Sequence, residues 1–243
     1  MTDPAPAAQA GGSDPAMRMS GPVIVPEHGL ARQGADGNHA GPPAAPSRLP
    51  PRFRGRVSRV LIPAQALQRR ITDMAHELAS HHPPDGELVI TPVLNGAFMF
   101  AADLARALGA VSTLDVRFEF AKTSTYGESL GADGDQRRVQ IDLQPADVVG
   151  RSMLLVDDIL DHGFTLCALR DRMAAWGVRN VQVCVLLDKQ LGDPSPDTLA
   201  QRAKAAPDLV GFRIPDVWVA GYGLDAGGAL RQLPSIVAVD PDG

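Results

Sequence analysis

Short apolar runs alternate with stretches of helical periodicity along this chain, and that alternation leaves few folds open. Glu87–Leu94, Ser152–Val156 and Val181–Leu187 read as buried strands. Between Ala64 and Ser80, Leu67, Ile71, Met74 and Leu78 recur on one stripe, the signature of an amphipathic helix. A second helix is expected around Met99–Leu108, after the turn signal Asn95-Gly96. A third covers Thr165–Trp176, with Leu166, Leu169, Met173 and Trp176 on one stripe. One further strand alternates, Val116, Phe118 and Phe120 pointing one way and Arg117 and Glu119 the other. Strands alternating with helices predict an α/β fold, a mostly parallel sheet flanked by crossover helices. From Asp208 on, shorter strands and turns fit a small hood over the sheet edge.

The 243 residues suit one domain with an appended segment. Apolar residues are scarce before Val57, where Pro, Gly and Ala dominate without periodicity. Residues 1–55 therefore read as a disordered tail ending in Pro50-Pro51-Arg52-Phe53-Arg54, and residues 56–243 as the folded domain. Met17 and Met19 stand as alternative starts. Gly127 to Gln136, with three glycines, reads as a long mobile loop, which inside a compact domain is more often functional than accidental.

Several partner classes are disfavoured. A formal net charge of −5 lacks the basic face that nucleic acid needs. No apolar run approaches the roughly 20 residues that span a bilayer, and Met1-Thr2-Asp3-Pro4 does not open a secretory signal. A cytoplasmic protein is expected, without membrane or nucleic-acid partners. Cys167 and Cys184 sit in apolar runs and read as buried thiols in a reducing compartment.

The chemistry concentrates in Val156-Asp157-Asp158-Ile159-Leu160-Asp161-His162-Gly163-Phe164-Thr165. In an open α/β sheet, ligands bind beyond the carboxyl ends of the strands, which is where this strand-to-helix loop stands. Its glycine allows a close turn, and the opening helix offers unpaired N–H groups to a phosphate. Asp157, Asp158 and Asp161 crowd together just before that cradle, a repulsive arrangement unless a cation or hydroxyls share it. One Asp alone would read as a helix cap; three together read as a site.

This segment resembles the 5-phosphoribosyl-1-pyrophosphate loop of type I phosphoribosyltransferases. Two later segments, Leu186-Leu187-Asp188-Lys189 and Gly211-Phe212-Arg213-Ile214-Pro215-Asp216-Val217-Trp218-Val219-Ala220-Gly221-Tyr222-Gly223-Leu224-Asp225, are similar to hypoxanthine-guanine phosphoribosyltransferases. The likeness runs from about Val57 to Asp240. It implies a type I phosphoribosyltransferase-like core with a hood drawn from the N- and C-terminal parts.

The resemblance also implies roles. Asp157 and Asp158 hold the ribose hydroxyls, and Asp161, His162, Gly163, Phe164 and Thr165 grip the 5′-phosphate, with Asp161 as general base and acid on the purine. Lys189 donates to the 6-oxo oxygen, Trp218 stacks on the base and Val219 contacts its edge; taken alone, Lys189 reads as a surface lysine and Trp218 as a core filler. Asn95 and Gly96 form the pyrophosphate turn, and Ser124, Thr125 and Tyr126 belong to a flexible lid. Arg231 faces pyrophosphate, and Mg²⁺ is implied with Asp157, Asp158 and Asp225 as its carboxylates, although Asp225 reads equally as a turn residue. Three positions depart from the pattern: His162 stands where Thr is usual, Asn95 where Lys is common, and Gln190–Pro194 lacks the arginines that often follow Lys189.

The implied activity is Mg²⁺-dependent transfer of 5-phosphoribose from 5-phosphoribosyl 1-pyrophosphate to hypoxanthine or guanine, by a homo-oligomer. A non-catalytic nucleotide sensor on the same fold is the alternative, favoured by Asn95 and the missing arginines. An RNA-binding regulator ranks last on charge.

Overall fold

The computed structural model describes residues 21–30, 32–33, 39–40, 49–125, 139–141 and 143–240. In chain order its strands are β1 (Val23–Ile24), β2 (Arg32–Gln33), β3 (His39–Ala40), β4 (Val57–Ile62), β5 (Glu87–Leu94), β6 (Asp115–Phe118), β7 (Ala121–Thr125), β8 (Val139–Ile141), β9 (Ser152–Leu160), β10 (Asn180–Gln190), β11 (Leu209–Pro215), β12 (Val219–Ala220) and β13 (Ile236–Val239). The helices are α1 (Ala64–Ser80), α2 (Phe98–Val111), α3 (Pro145–Val148), α4 (Phe164–Ala175) and α5 (Pro196–Lys204).

The main sheet runs β1-β11-β10-β9-β5-β7-β8, with β6 beside the first half of β5. Its pairings are parallel except that between β7 and β8. The central strands are apolar on both faces, as a sheet covered by helices on both sides requires. Leu88, Ile90, Leu154 and Val156 pack into one core with Leu67, Ile71 and Leu104 of α1 and α2. Val89, Met153, Leu155, Val183 and Val185 face the opposite core, with Leu166, Leu169 and Met173 of α4. Both cysteines are buried, Cys167 on α4 and Cys184 on β10. Among the described residues, no helix is long and apolar enough to cross a membrane.

A second, antiparallel sheet, β12-β13-β4, forms the hood. It joins the start of the domain to its end over a separate apolar cluster of Phe53, Val57, Val60, Leu230, Leu233 and Val237. The hood therefore draws on both ends of the domain, as expected.

One expectation needs correction. The tail to residue 55 is not wholly without structure: Val23 and Ile24 pair in parallel with Phe212 and Arg213, Val25 is buried, and its N–H donates to the Arg213 carbonyl at 2.9 Å. Phe53 is buried as well. A two-residue strand between prolines carries no periodicity, so its pairing was invisible locally. Val116, Phe118 and Phe120 line one shared surface, the side on which the alternation put them. β6 ends at Phe118, and both rings are exposed and stacked on each other with centroids 6.0 Å apart.

Candidate active site

The strand order reverses between β5 and β9, with β6 and β7 on one side and β10 and β11 on the other. That reversal opens a crevice beyond the carboxyl ends of β5 and β9. Asn95-Gly96 enters it from β5, after a cis peptide bond between Leu94 and Asn95. Asp157 and Asp158 enter it from β9, which continues past its apolar half to Leu160. Gly96 lies directly against the Asp158 carboxylate.

Asp157 is buried, and its Oδ1 accepts the N–H of Asp158 at 3.0 Å. Burial pushes the Asp157 carboxyl well above the usual carboxylate range, and the neighbouring Asp158 charge pushes the same way. Asp158 is also raised, chiefly by burial; hydrogen bonds and the Arg231 charge partly offset it. The two form a buried pair of neighbouring acids, each raised chiefly by burial.

The third wall of the crevice is the segment after β12. The Gly223 backbone packs on the Gly96 carbonyl so closely that a β-carbon there would overlap it. Arg231 donates to the Gly223 carbonyl at 2.6 Å and pairs with Asp225 Oδ1 at 2.6 Å, while Asp225 Oδ2 accepts the Gly228 N–H at 2.7 Å. Among the described residues, no three acidic, His or Cys side chains gather into a metal cage. Asp157, Asp158 and Asp225 thus do not form a site of protein ligands alone, and Asp225 is engaged by Arg231.

Next to the acidic pair lies the anion cradle, a cavity of about 170 Å³ lined by Asp161, His162, Gly163, Phe164 and Thr165 together with part of β9. Gly163 caps α4 at φ +87°, a left-handed conformation that favours glycine. With no capping side chain there, the first-turn N–H groups of α4 are left for a ligand. The His162 and Phe164 rings stack with centroids 6.4 Å apart, and both residues line the cavity.

Further motif residues meet beside Asp161. Lys189, near the end of β10, places Nζ 3.4 Å from Asp161 Oδ2 and 3.6 Å from Asp216 Oδ1. The same Nζ lies 5.8 Å from the centroid of the Trp218 ring, which is 65% exposed and so is no core filler. Val219, the first residue of β12, is buried against β13. Asp161 Oδ1 is shielded from solvent and has no hydrogen-bond partner among the described residues; His162 Nδ1 stands 3.2 Å away, an ion pair only when the imidazole is protonated.

The structure thus brings together Asn95, Gly96, Asp157, Asp158, Asp225 and Arg231 in one crevice, and Asp161, Lys189 and Trp218 beside the phosphate cradle. Ser124 and Thr125 close β7; Tyr126 and the loop 127–136 lie outside the described residues. Two contributors carry no local sequence signal. Asp216 is the second carboxylate on Lys189, and Arg202 of α5 reaches the loop backbone at Leu160 and Asp161.

Residues 61–226 match the phosphoribosyl transferase domain. The chain belongs to that family. This phosphoribosyltransferase is 34% identical over 190 residues to the hypoxanthine-guanine phosphoribosyltransferase of Aquifex aeolicus, covering 77% of this chain and 98% of that one. It is 35% identical over 204 residues to the Mycobacterium avium enzyme of the same name, covering 82% and 92%. Its fold is similar to a mutant hypoxanthine phosphoribosyltransferase from Trypanosoma cruzi solved as a ternary substrates complex, with a TM-score of 0.65 at 32% identity, covering 77% of this chain and 98% of that one. A hypoxanthine-guanine phosphoribosyltransferase structure from Bacillus anthracis gives 0.60 at 29% identity, covering 75% and 98%.

Proposed function

We propose that this phosphoribosyltransferase acts in purine salvage, transferring 5-phosphoribose from 5-phosphoribosyl 1-pyrophosphate to hypoxanthine or guanine with release of pyrophosphate. One observation carries the reading: Asp161, an acid with one shielded oxygen that accepts no hydrogen bond among the described residues, stands between an anion cradle and a buried lysine under an exposed tryptophan. A 6-oxopurine stacked on Trp218 would accept a hydrogen bond from Lys189 and turn its imidazole N–H toward Asp161. As the C1′–oxygen bond to pyrophosphate breaks and the C1′–nitrogen bond forms, the imidazole proton passes to Asp161.

The cradle holds the 5′-phosphate, and the Asp157–Asp158 pair takes the ribose hydroxyls, whose hydrogens relieve the repulsion between the two acids. Asn95-Gly96 and Arg231 face the pyrophosphate, and Ser124, Thr125 and Tyr126 belong to the lid. The donor set suits Mg²⁺ in one respect: buried neighbouring carboxylates favour a hard dication whose shell is completed by substrate oxygens. Held by Asp157, Asp158 and Asp225 with those oxygens, Mg²⁺ would supply neutralisation of the charge on the departing pyrophosphate. Arg231 must then release Asp225.

The same reading makes the protein a cytoplasmic homo-oligomer. Phe98, Phe118 and Phe120 form the exposed apolar surface that a second copy would cover. Phe118→Asp should shift the mass by light scattering towards the monomer; an unchanged mass assigns contact to another surface.

The deciding experiment is a spectrophotometric assay with 5-phosphoribosyl 1-pyrophosphate, Mg²⁺ and, in separate runs, hypoxanthine, guanine, xanthine and adenine. Turnover with the first two, lost on chelation, is expected. No turnover with any base, alongside clear nucleotide binding, would make the protein a sensor.

A further inference from the structure

After Lys189 this chain does not continue into an arginine-bearing turn; it folds α5, and the last turn of that helix reaches back to the catalytic loop. Arg202 Nη1 donates to the carbonyl of Leu160 at 3.1 Å and to that of Asp161, while Nη2 pairs with Asp188 Oδ1 at 2.5 Å. Asp188 immediately precedes Lys189 and is itself buried, with Arg213 Nε 3.3 Å from its other oxygen. The Arg202 side chain is only 18% exposed. α5 is fastened at three more points: Cys167 Sγ donates to the Gln201 carbonyl at 3.0 Å, Arg170 Nη1 to the Lys204 carbonyl at 3.2 Å, and Gly163 packs on the Arg202 backbone.

One planar guanidinium therefore ties the backbone that carries Asp161 to the side chain next to Lys189. Its five donors in a fixed fork suit it to hold two carbonyls and a carboxylate at once, which a lysine ammonium does less rigidly. Asp161 and Lys189 are the two groups that face the purine in the reaction proposed above, and misplacing a reacting group by about 1 Å can lower a rate about 100-fold.

We propose that Arg202 is a positioning residue that sets the separation of Asp161 and Lys189, acting through the carbonyls of Leu160 and Asp161 and through Asp188. The inference rests on the phosphoribosyl-transfer reading for its kinetic part. Arg202 holds the backbone where the 5′-phosphate cradle begins, so its loss should lower kcat and, through the loosened cradle, also raise the Michaelis constant for the phosphoribosyl donor.

The test is a double-mutant cycle on the full chain. Arg202→Ala should lower kcat by about 10- to 100-fold, and Arg202→Lys by less. Combined with Asp161→Asn, Arg202→Ala should add little further loss, because its effect runs through a group already disabled. Full additivity of the two losses would overturn the proposal, as would equal kcat for wild type and Arg202→Ala. Hydrogen exchange supplies a second readout independent of turnover. In Arg202→Gln the amides of residues 160–165 should exchange faster while those of Leu154–Val156 and Val183–Leu186 stay protected. Unchanged exchange at 160–165 sinks the proposal, and so does a general loss of protection, which would mark Arg202 as a fold residue. Wild-type protein that fails to turn over any base would sink the reaction itself and leave the exchange measurement to judge the positioning role.

Discussion

Gly96 and Asp158 touch so closely that a β-carbon on the first would overlap Oδ2 of the second. The Asn95-Gly96 turn and the acidic pair thus pack directly together, where the sheet reverses its order. Gly96→Ala would have to push the Asp158 carboxylate out of the crevice. The expected result is a rise of at least about tenfold in the Michaelis constant for the phosphoribosyl donor, the effect of losing roughly 1.4 kcal/mol of binding. An unchanged constant, read by steady-state kinetics at saturating base, would mean that Asp158 does not meet the donor.

Asp161→Asn keeps the size of the side chain and the cradle backbone but removes the proton acceptor. Turnover should fall by about 10²- to 10⁴-fold. Binding of the nucleotide product, measured by titration calorimetry, should survive. Full turnover in the variant would remove Asp161 from the chemistry.

Trp218 is 65% exposed, so its ring adds little to the core. Trp218→Ala should raise the Michaelis constant for the base by about 5- to 100-fold, roughly 1–3 kcal/mol of lost aromatic stacking, and leave that for the donor nearly unchanged. The melting temperature should hardly move. A large drop in melting temperature with equal effects on both substrates would make Trp218 a packing residue.

Asp157 gives the ligand-free protein a pH signature. Its carboxyl is raised by burial and by Asp158, so the folded chain holds that proton more tightly than the unfolded chain. Stability therefore falls as pH rises from the unfolded value near 4 through the raised folded value, and the penalty is complete above it. Asp157→Asn should raise the melting temperature at neutral pH, flatten its pH dependence and weaken nucleotide binding. Calorimetry from mildly acidic to neutral pH decides; a variant that melts below wild type throughout would place Asp157 among the stabilising groups.

Helices α1, α2 and α4 were legible because their burial is periodic, as in α1, where Leu67, Ile71, Met74 and Leu78 are all buried and the ends fall at the residues expected, whereas α3 and α5 were not foreseen. Strand ends were less legible wherever function interrupts apolarity. β9 runs on through Asp157 and Asp158, and β10 through Asp188 and Lys189, because the backbone ladder tolerates charges at the ligand end. Of the residues named from motifs, Asn95, Gly96, Asp157, Asp158, Asp225 and Arg231 lie in one crevice and Asp161, Lys189 and Trp218 beside the neighbouring cavity, while Tyr126 lies outside the described residues. Arg202 and Asp216 were not legible, since each acts across tens of residues on a partner no local pattern names. The sheet misled at its β1 edge, where Val23–Ile24 lacks any pattern yet joins the sheet.

That short β1 has a colloidal consequence. It covers the outer side of β11, which would otherwise show a row of unpaired backbone donors and acceptors to any passing strand. Trimming the chain as far as Gly21 leaves this cover in place. Trimming past Val25 would bare a templating surface, and the shortened protein should cloud on concentration while its catalytic groups remain intact.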